Sequence, residues 1–327
     1  LAPFAALFPG QLSEKPGMGE ALAARYDFVA AWFQEVSRRS GVDLAATYFG
    51  AGSPSLHDDL PAQAGVFALS VAALDVLKKA HGLVPKAAAG YSLGTYAAFV
   101  AAEALEREAA LNVLLEAQRL LEEDRLANAA RPGGMGFVIG VSEAKLRVLL
   151  EEVRKEEKLE ADALAIGNVN AAQQFVLTGE RDAVLKTIQR ARPKALKAEM
   201  LPISIAMHCS RLGSVTRRLK ILLEGRICLR EPAVPLYAPM LARRLSSLEE
   251  FSSVLFDQIS RPSLWSPTLA AMGADGFSAF VEVGPGDVLT KLLRWTLREA
   301  KGIVVESPEG AEAFARAVLP SEVVSRA

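Results

Sequence analysis

The chain has 327 residues, 51% of them hydrophobic, enough to bury a sizeable core as one large domain or as a domain with a smaller insert. Lys and Arg number 37 against 38 Asp and Glu, so no basic excess marks a nucleic-acid footprint and only local patches remain for such contacts. The two cysteines, Cys209 and Cys228, have no metal or redox spacing and are too few for a disulfide framework, which points to a reducing cytoplasm.

Residues 1–9 are apolar but lack the basic start and the small-residue cleavage site of a signal peptide, and 5–8 read as a buried strand. Helical periodicity through Val66, Phe67, Leu69, Leu74 and Leu77 predicts a helix over 60–81, with Gly82 as its stop. Residues 84–105 are apolar enough to raise the question of a membrane span. Lys86, Ser92, Thr95 and two glycines fit a buried strand, turn and helix better, so no membrane association is expected. The strand is placed at 86–91 because of the turn that follows, since its alanines are poor strand formers. A helix rich in Leu, Ala and Glu follows over 106–127 and stops before Arg131-Pro132-Gly133-Gly134. Residues 128–198 then read as strand, helix, strand, strand, helix, strand, the βαββαβ order of a ferredoxin-like unit. Helix and strand patterns resume over 215–282. The expected fold is α/β with a largely parallel sheet, a main body from 1–127 and 199–327, and an insert at 128–198.

Gly90-Tyr91-Ser92-Leu93-Gly94 matches the G-x-S-x-G nucleophile elbow and sits where a strand passes into a helix. Glycines are needed on both sides because the serine occupies a strained turn against neighbouring strands. Ser92 would face a cleft, with the Leu93 N–H at the helix N-terminus available to an oxyanion. The plainer alternative is a glycine-flanked serine in a tight turn. A serine nucleophile needs a base, and the chain has three histidines, His57, His81 and His208. His57 and His81 flank helix ends among polar residues and read as surface or capping groups. His208 follows the apolar run 201–207 and lies downstream of the serine, as a catalytic base or as a structural histidine. No acid announces itself as a third member.

Taken together, these segments resemble the malonyl-CoA:acyl carrier protein transacylase family over nearly the whole chain. Phe8-Pro9-Gly10-Gln11 with Gly17-Met18-Gly19 looks like its amino-terminal motif, and Gln63 falls where a family glutamine precedes a helix. Gly90 to Gly94 is the serine elbow, and Arg119 falls at the family arginine on the next long helix, with Arg125 as a fallback. Asn168-Val169-Asn170 with Gln174 and Gly179, the histidine motif from Leu201 to His208 and Cys209, the stretch from Gln258 through Pro262 to Trp265, and Val281 to Gly286 complete the set.

The resemblance implies an α/β-hydrolase-like large subdomain carrying a ferredoxin-like small one. It also implies a Ser92–His208 dyad, an oxyanion hole from the N–H groups of Gln11 and Leu93, and a Gln258 main-chain carbonyl that orients His208 in place of an acid. Arg119, which helix spacing alone would pair with Glu116, Glu122 or Glu123, would by the resemblance pair with the free carboxylate of malonyl, and Met207 and Gln63 would line the acyl pocket. The implied reaction carries malonyl or a related acyl group from a coenzyme A thioester to an acyl carrier protein, with no metal or redox cofactor and a monomer favoured. The chain departs from the family pattern at Tyr91 and Thr95, which flank the elbow serine, at Leu12-Ser13-Glu14 after Gln11, and at Met207. Two rival functions are a hydrolase using the same dyad and a degenerate carrier-protein-binding copy. Arg211, Arg217, Arg218 and Lys220, with Arg190, Arg192, Lys194 and Lys197, form either a rim for an acidic carrier protein or a solvated face.

Overall fold

Ten strands divide between two sheets in the computed structural model, which describes residues 3–319; Leu1 and Ala2 of the expected apolar start lie outside the described residues. In chain order they are β1 (Phe4–Phe8), β2 (Ala87–Gly90), β3 (Gly133–Ile139), β4 (Leu164–Ala171), β5 (Gln174–Glu180), β6 (Lys197–Met200), β7 (Leu236–Ala238), β8 (Arg243–Arg244), β9 (Ala279–Val283) and β10 (Lys301–Val305).

The larger sheet runs β10-β9-β1-β2-β7-β8 and is parallel except for the short edge strand β8. β1 and β2 sit at its centre and are buried at every position, as parallel strands covered by helices on both faces must be. The alanines of β2 are weak strand formers by propensity, yet burial overrides propensity here. Their small side chains let the helix Gly94–Ala101 lie close over the strand. The helix Asp59–Asp75 is buried on all sides from Ala62 to Leu74 and continues to Ala80 in a wider π turn, so it is a core helix. Asp59–Ala80 is long and apolar enough to cross a membrane by composition, but most of it lies inside the protein.

The smaller sheet is antiparallel in the order β4-β5-β3-β6, with the helices Glu143–Glu157 and Arg181–Ala191 packed on it around Val138, Leu150, Phe175 and Ile188. Its strands and helices follow the βαββαβ order read from the sequence, and β6 runs on to Met200. Two backbone bonds tie β4 to the loop before the helix Trp265–Ala274: Val169 N–H to the Ser263 carbonyl at 2.9 Å and Ser263 N–H to the Gly167 carbonyl at 2.8 Å. Structure also extends past the expected 282, through the helix Val288–Thr296, β10 and the helix Pro308–Val318.

Candidate active site

The elbow is a steric consequence of its glycines. A Cβ on Gly90 would lie 2.2 Å from the Gly94 carbonyl, and one on Gly94 would lie 2.1 Å from the Phe8 carbonyl oxygen, so neither position admits a side chain. Between them the chain reverses so sharply that Ser92 adopts φ 53°, a left-handed conformation rare for a residue with a Cβ. Ser92 Oγ stands 2.8 Å from His208 Nε2.

His208 comes from a loop 116 positions later and is 2% exposed, itself at φ 63°. Its Nδ1 lies 3.0 Å from the Gln258 carbonyl and 3.1 Å from that of Arg261. Two carbonyl acceptors require a proton on Nδ1, which leaves Nε2 as the lone-pair nitrogen facing the serine. The first carbonyl matches the expected one; the second, from Arg261, was not anticipated, because a main-chain acceptor leaves no signature in residue identity. The His208 N–H donates to the Ile259 carbonyl at 2.7 Å, so ring and backbone are held by one segment. Burial pushes the His208 imidazolium pKa down, which keeps the ring neutral and basic near pH 7.

Gly10 lies against the Tyr91 carbonyl and Ser92 Cβ, which brings the loop after β1 onto the elbow. Leu12, at φ 73°, donates its N–H to Glu14 Oε2 at 2.7 Å, and the Gln11 side chain is drawn away to Asp59 at 2.8 Å. Among the described residues, the backbone N–H groups of Gln11 and Leu93 donate to no protein acceptor. His57 meets the buried Glu14 at 2.9 Å, and neither it nor His81 touches Ser92.

Tyr91 lies where the two sheets meet. Its hydroxyl accepts from Asn168 Nδ2 at 3.1 Å and donates to Asn170 Oδ1 at 3.0 Å, and its ring packs edge-on against Trp265. Asn168 and Asn170 of the sequence motif therefore tie β4 to the elbow. The buried Glu282 of the last motif accepts from the Leu289 and Thr290 N–H groups at 3.0 and 2.7 Å, capping the helix Val288–Thr296, and plays its part away from Ser92.

A cavity of about 80 Å³ opens beside Ser92, with Gln63, Met207, Leu93 and Gln258 among its lining residues. Arg119 is absent from it, and this corrects the expectation. The Arg119 side chain is 48% exposed and held by Glu116 at 2.9 Å and by Glu123, the pairing that i−3 and i+4 carboxylates on one helix favour. The fallback Arg125 is tied to Glu122 at 2.6 Å. The inward-facing residue is Gln118, 6% exposed, whose Oε1 accepts from Gln63 Nε2 at 2.8 Å. The signal was present in the sequence. Leu111, Leu114, Gln118 and Leu121 fall at i, i+3, i+7 and i+10, so the polar residue on the apolar stripe was the one to follow.

Of the basic groups after His208 and at the end of the insert, Arg211, Arg218, Arg190 and Lys197 are paired with Glu180, Glu123, Glu156 and Glu199. Arg217 and Lys220 have no carboxylate partner among the described residues.

Known proteins carry the same framework. Malonyl CoA-acyl carrier protein transacylase of Salmonella typhimurium (strain LT2) is 28% identical over 292 residues, covering 89% of this chain and 92% of that protein. The transacylase of the same name from Bacillus subtilis (strain 168) is 27% identical over 314 residues, covering 95% and 96%. A malonyl-transacylase solved in complex with its type II PKS acyl-carrier protein superposes with a TM-score of 0.88 at 26% identity, covering 97% of this chain and all of that one. The family described as the acyl transferase domain matches residues 6–312, nearly the whole described chain, and to that family this chain belongs.

Proposed function

We propose that the protein transfers an acyl group, malonyl in the reaction its relatives are named for, from coenzyme A to the phosphopantetheine thiol of an acyl carrier protein, with Ser92 carrying the group in between. The observation that carries this reading is the 2.8 Å contact between Ser92 Oγ and the lone-pair nitrogen of a buried His208 whose opposite nitrogen is fixed by two carbonyls. His208 takes the hydroxyl proton as Ser92 Oγ bonds to the thioester carbonyl carbon. The carbonyl electrons move onto oxygen, where the unengaged N–H groups of Gln11 and Leu93 meet the oxyanion. Collapse breaks the carbon–sulfur bond and expels the coenzyme A thiolate, which takes the proton from His208. The carrier thiol then enters by the same steps in reverse, giving its proton to His208 and returning it to Ser92. No step calls for a metal or redox group. The Gln258 and Arg261 carbonyls do the orienting that an aspartate does in a triad, which is consistent with the lack of an acid beside Nδ1.

In this reading the larger sheet and its helices, residues 1–127 and 199–327, form an α/β-hydrolase-like body. Residues 128–198 form a ferredoxin-like insert; the separate core of the smaller sheet supports that division. Met207 and Gln63 contribute to the acyl pocket. The chain works as a cytoplasmic monomer, a placement supported by two unpaired cysteines.

Intact-mass measurement tests the mechanism. Incubation with malonyl-CoA should add one acyl group, mapped to Ser92 and missing from Ser92→Ala, and addition of holo carrier protein should move that mass to the carrier. An adduct on another residue, or loss of the group to water faster than to the carrier, refutes it.

A further inference from the structure

Among the described residues, no Lys or Arg side chain lines the cavity beside Ser92. Its polar lining residues carry no formal charge: Gln11, Gln63, Asn168 and Gln258 are amides and Tyr91 and Tyr96 phenols, beside the Ser92–His208 dyad. The Gln63 amide is engaged with Gln118, and the Tyr96 hydroxyl is buried with no hydrogen-bond partner among the described residues. Burial holds the Tyr96 phenol protonated, with its pKa pushed up to about 12, so it offers a neutral O–H. Leu121, Val176, Ile203 and Met207 are among the apolar residues of the wall. Of the three arginines on the helix Arg107–Ala127, Arg119 and Arg125 are committed to glutamates outside this cavity and Arg107 to Asp75 and Glu108.

A carboxylate brought into such a place loses its water and gains only donors that carry no formal charge. Burying an ion without a counter-charge is costly, whereas an acyl methyl group gains from the same surroundings. Size sets a second limit. A cavity of about 80 Å³ is roughly half the ~150 Å³ that accommodates benzene, which suits two or three carbons beyond the thioester and not a long chain.

We propose, resting on the acyl-serine reading above, that Ser92 accepts short uncharged acyl groups such as acetyl at least as readily as malonyl, through a neutral cavity in which the Gln63–Gln118 amide pair stands where a cation would otherwise select the carboxylate. The pair is suited to this role because its amides are bonded to each other and Gln63 brings no net charge to the cavity wall.

The test is the rate of Ser92 acylation, followed by intact mass, with acetyl-CoA, malonyl-CoA and octanoyl-CoA. The expected kcat/KM ratio of acetyl to malonyl is one or higher, with octanoyl slower by roughly 100-fold. Arg119→Ala should leave the acetyl-to-malonyl ratio within about twofold, because that guanidinium lies outside the cavity. A preference for malonyl above about tenfold in the unmodified protein overturns the inference, as does a ratio that moves with Arg119→Ala, and either result leaves the acyl-serine mechanism standing. The absence of any adduct with all three thioesters removes that mechanism and the inference built on it.

Discussion

Strain at the elbow can be weighed by comparing Ser92→Gly with Ser92→Ala. Both substitutions delete the hydroxyl and its 2.8 Å contact with His208, so that loss cancels in the comparison. What remains is backbone. At φ 53° a residue with a Cβ is disfavoured by about 1 to 2 kcal/mol, a penalty that glycine escapes. Glycine gives back about 0.5 to 1 kcal/mol through the greater freedom of its unfolded chain. The balance favours Ser92→Gly over Ser92→Ala by up to about 1.5 kcal/mol, centred on ~0.75 kcal/mol, whereas in the middle of a helix alanine wins by about 0.5 to 1 kcal/mol. Urea unfolding read by near-ultraviolet circular dichroism, with a thermal shift of roughly 1 °C as a check, measures the difference in a chain of this length. Neither variant should become acylated. If Ser92→Ala is as stable as Ser92→Gly or more so, the serine is not held in a strained conformation, and the account of why glycines flank it fails.

Acylation should depend on a neutral His208 whose pKa is lowered by burial, so kcat/KM should stay level as pH falls through about 6.5, where a free imidazole titrates, and drop only below it. The same depression makes His208 contribute stability above the unfolded value that is lost as pH falls through the folded one; a rate profile breaking above pH 7 contradicts this. His208→Ala should slow acylation by about 10² to 10⁴, read by stopped-time mass spectrometry, and a rate within threefold of the parent would remove it as the base. Tyr91→Phe leaves Asn168 Nδ2 and Asn170 Oδ1 without their shared partner, at about 1 to 3 kcal/mol for each buried group. Denaturant unfolding should show a loss of at least ~1 kcal/mol, and an unchanged midpoint would mean that the tie carries no stability.

Ser92 was legible because an elbow is local: two glycines and a serine within five residues state its sterics outright. His208 was legible through its place in chain order and the motif around it, while nothing beside it in sequence reveals that a segment some fifty residues on closes around the ring. The carbonyl of Arg261 could not be read at all, because every residue has one. Arg119 failed for a different reason. A step of one residue turns a helix by about 100°, enough to exchange the buried Gln118 for an exposed arginine, and flanking glutamates suit either orientation. The alanine-rich strand β2 was placed correctly through the turn after it, where propensity alone pointed elsewhere.

The segment from Gln258 to Ser263 has two duties that fall within six residues. At one end its carbonyls set which nitrogen of His208 carries the proton; at the other, Ser263 is bonded in both directions to β4. Proton transfer and the seating of the smaller sheet are therefore in mechanical series. A tilt of that sheet, whether from a docking partner or from an ill-fitting acyl chain, would reach the imidazole through Ser263 and the elbow through Tyr91. The base is thus coupled to the seating of the smaller sheet, although it is among the most deeply buried side chains of the protein.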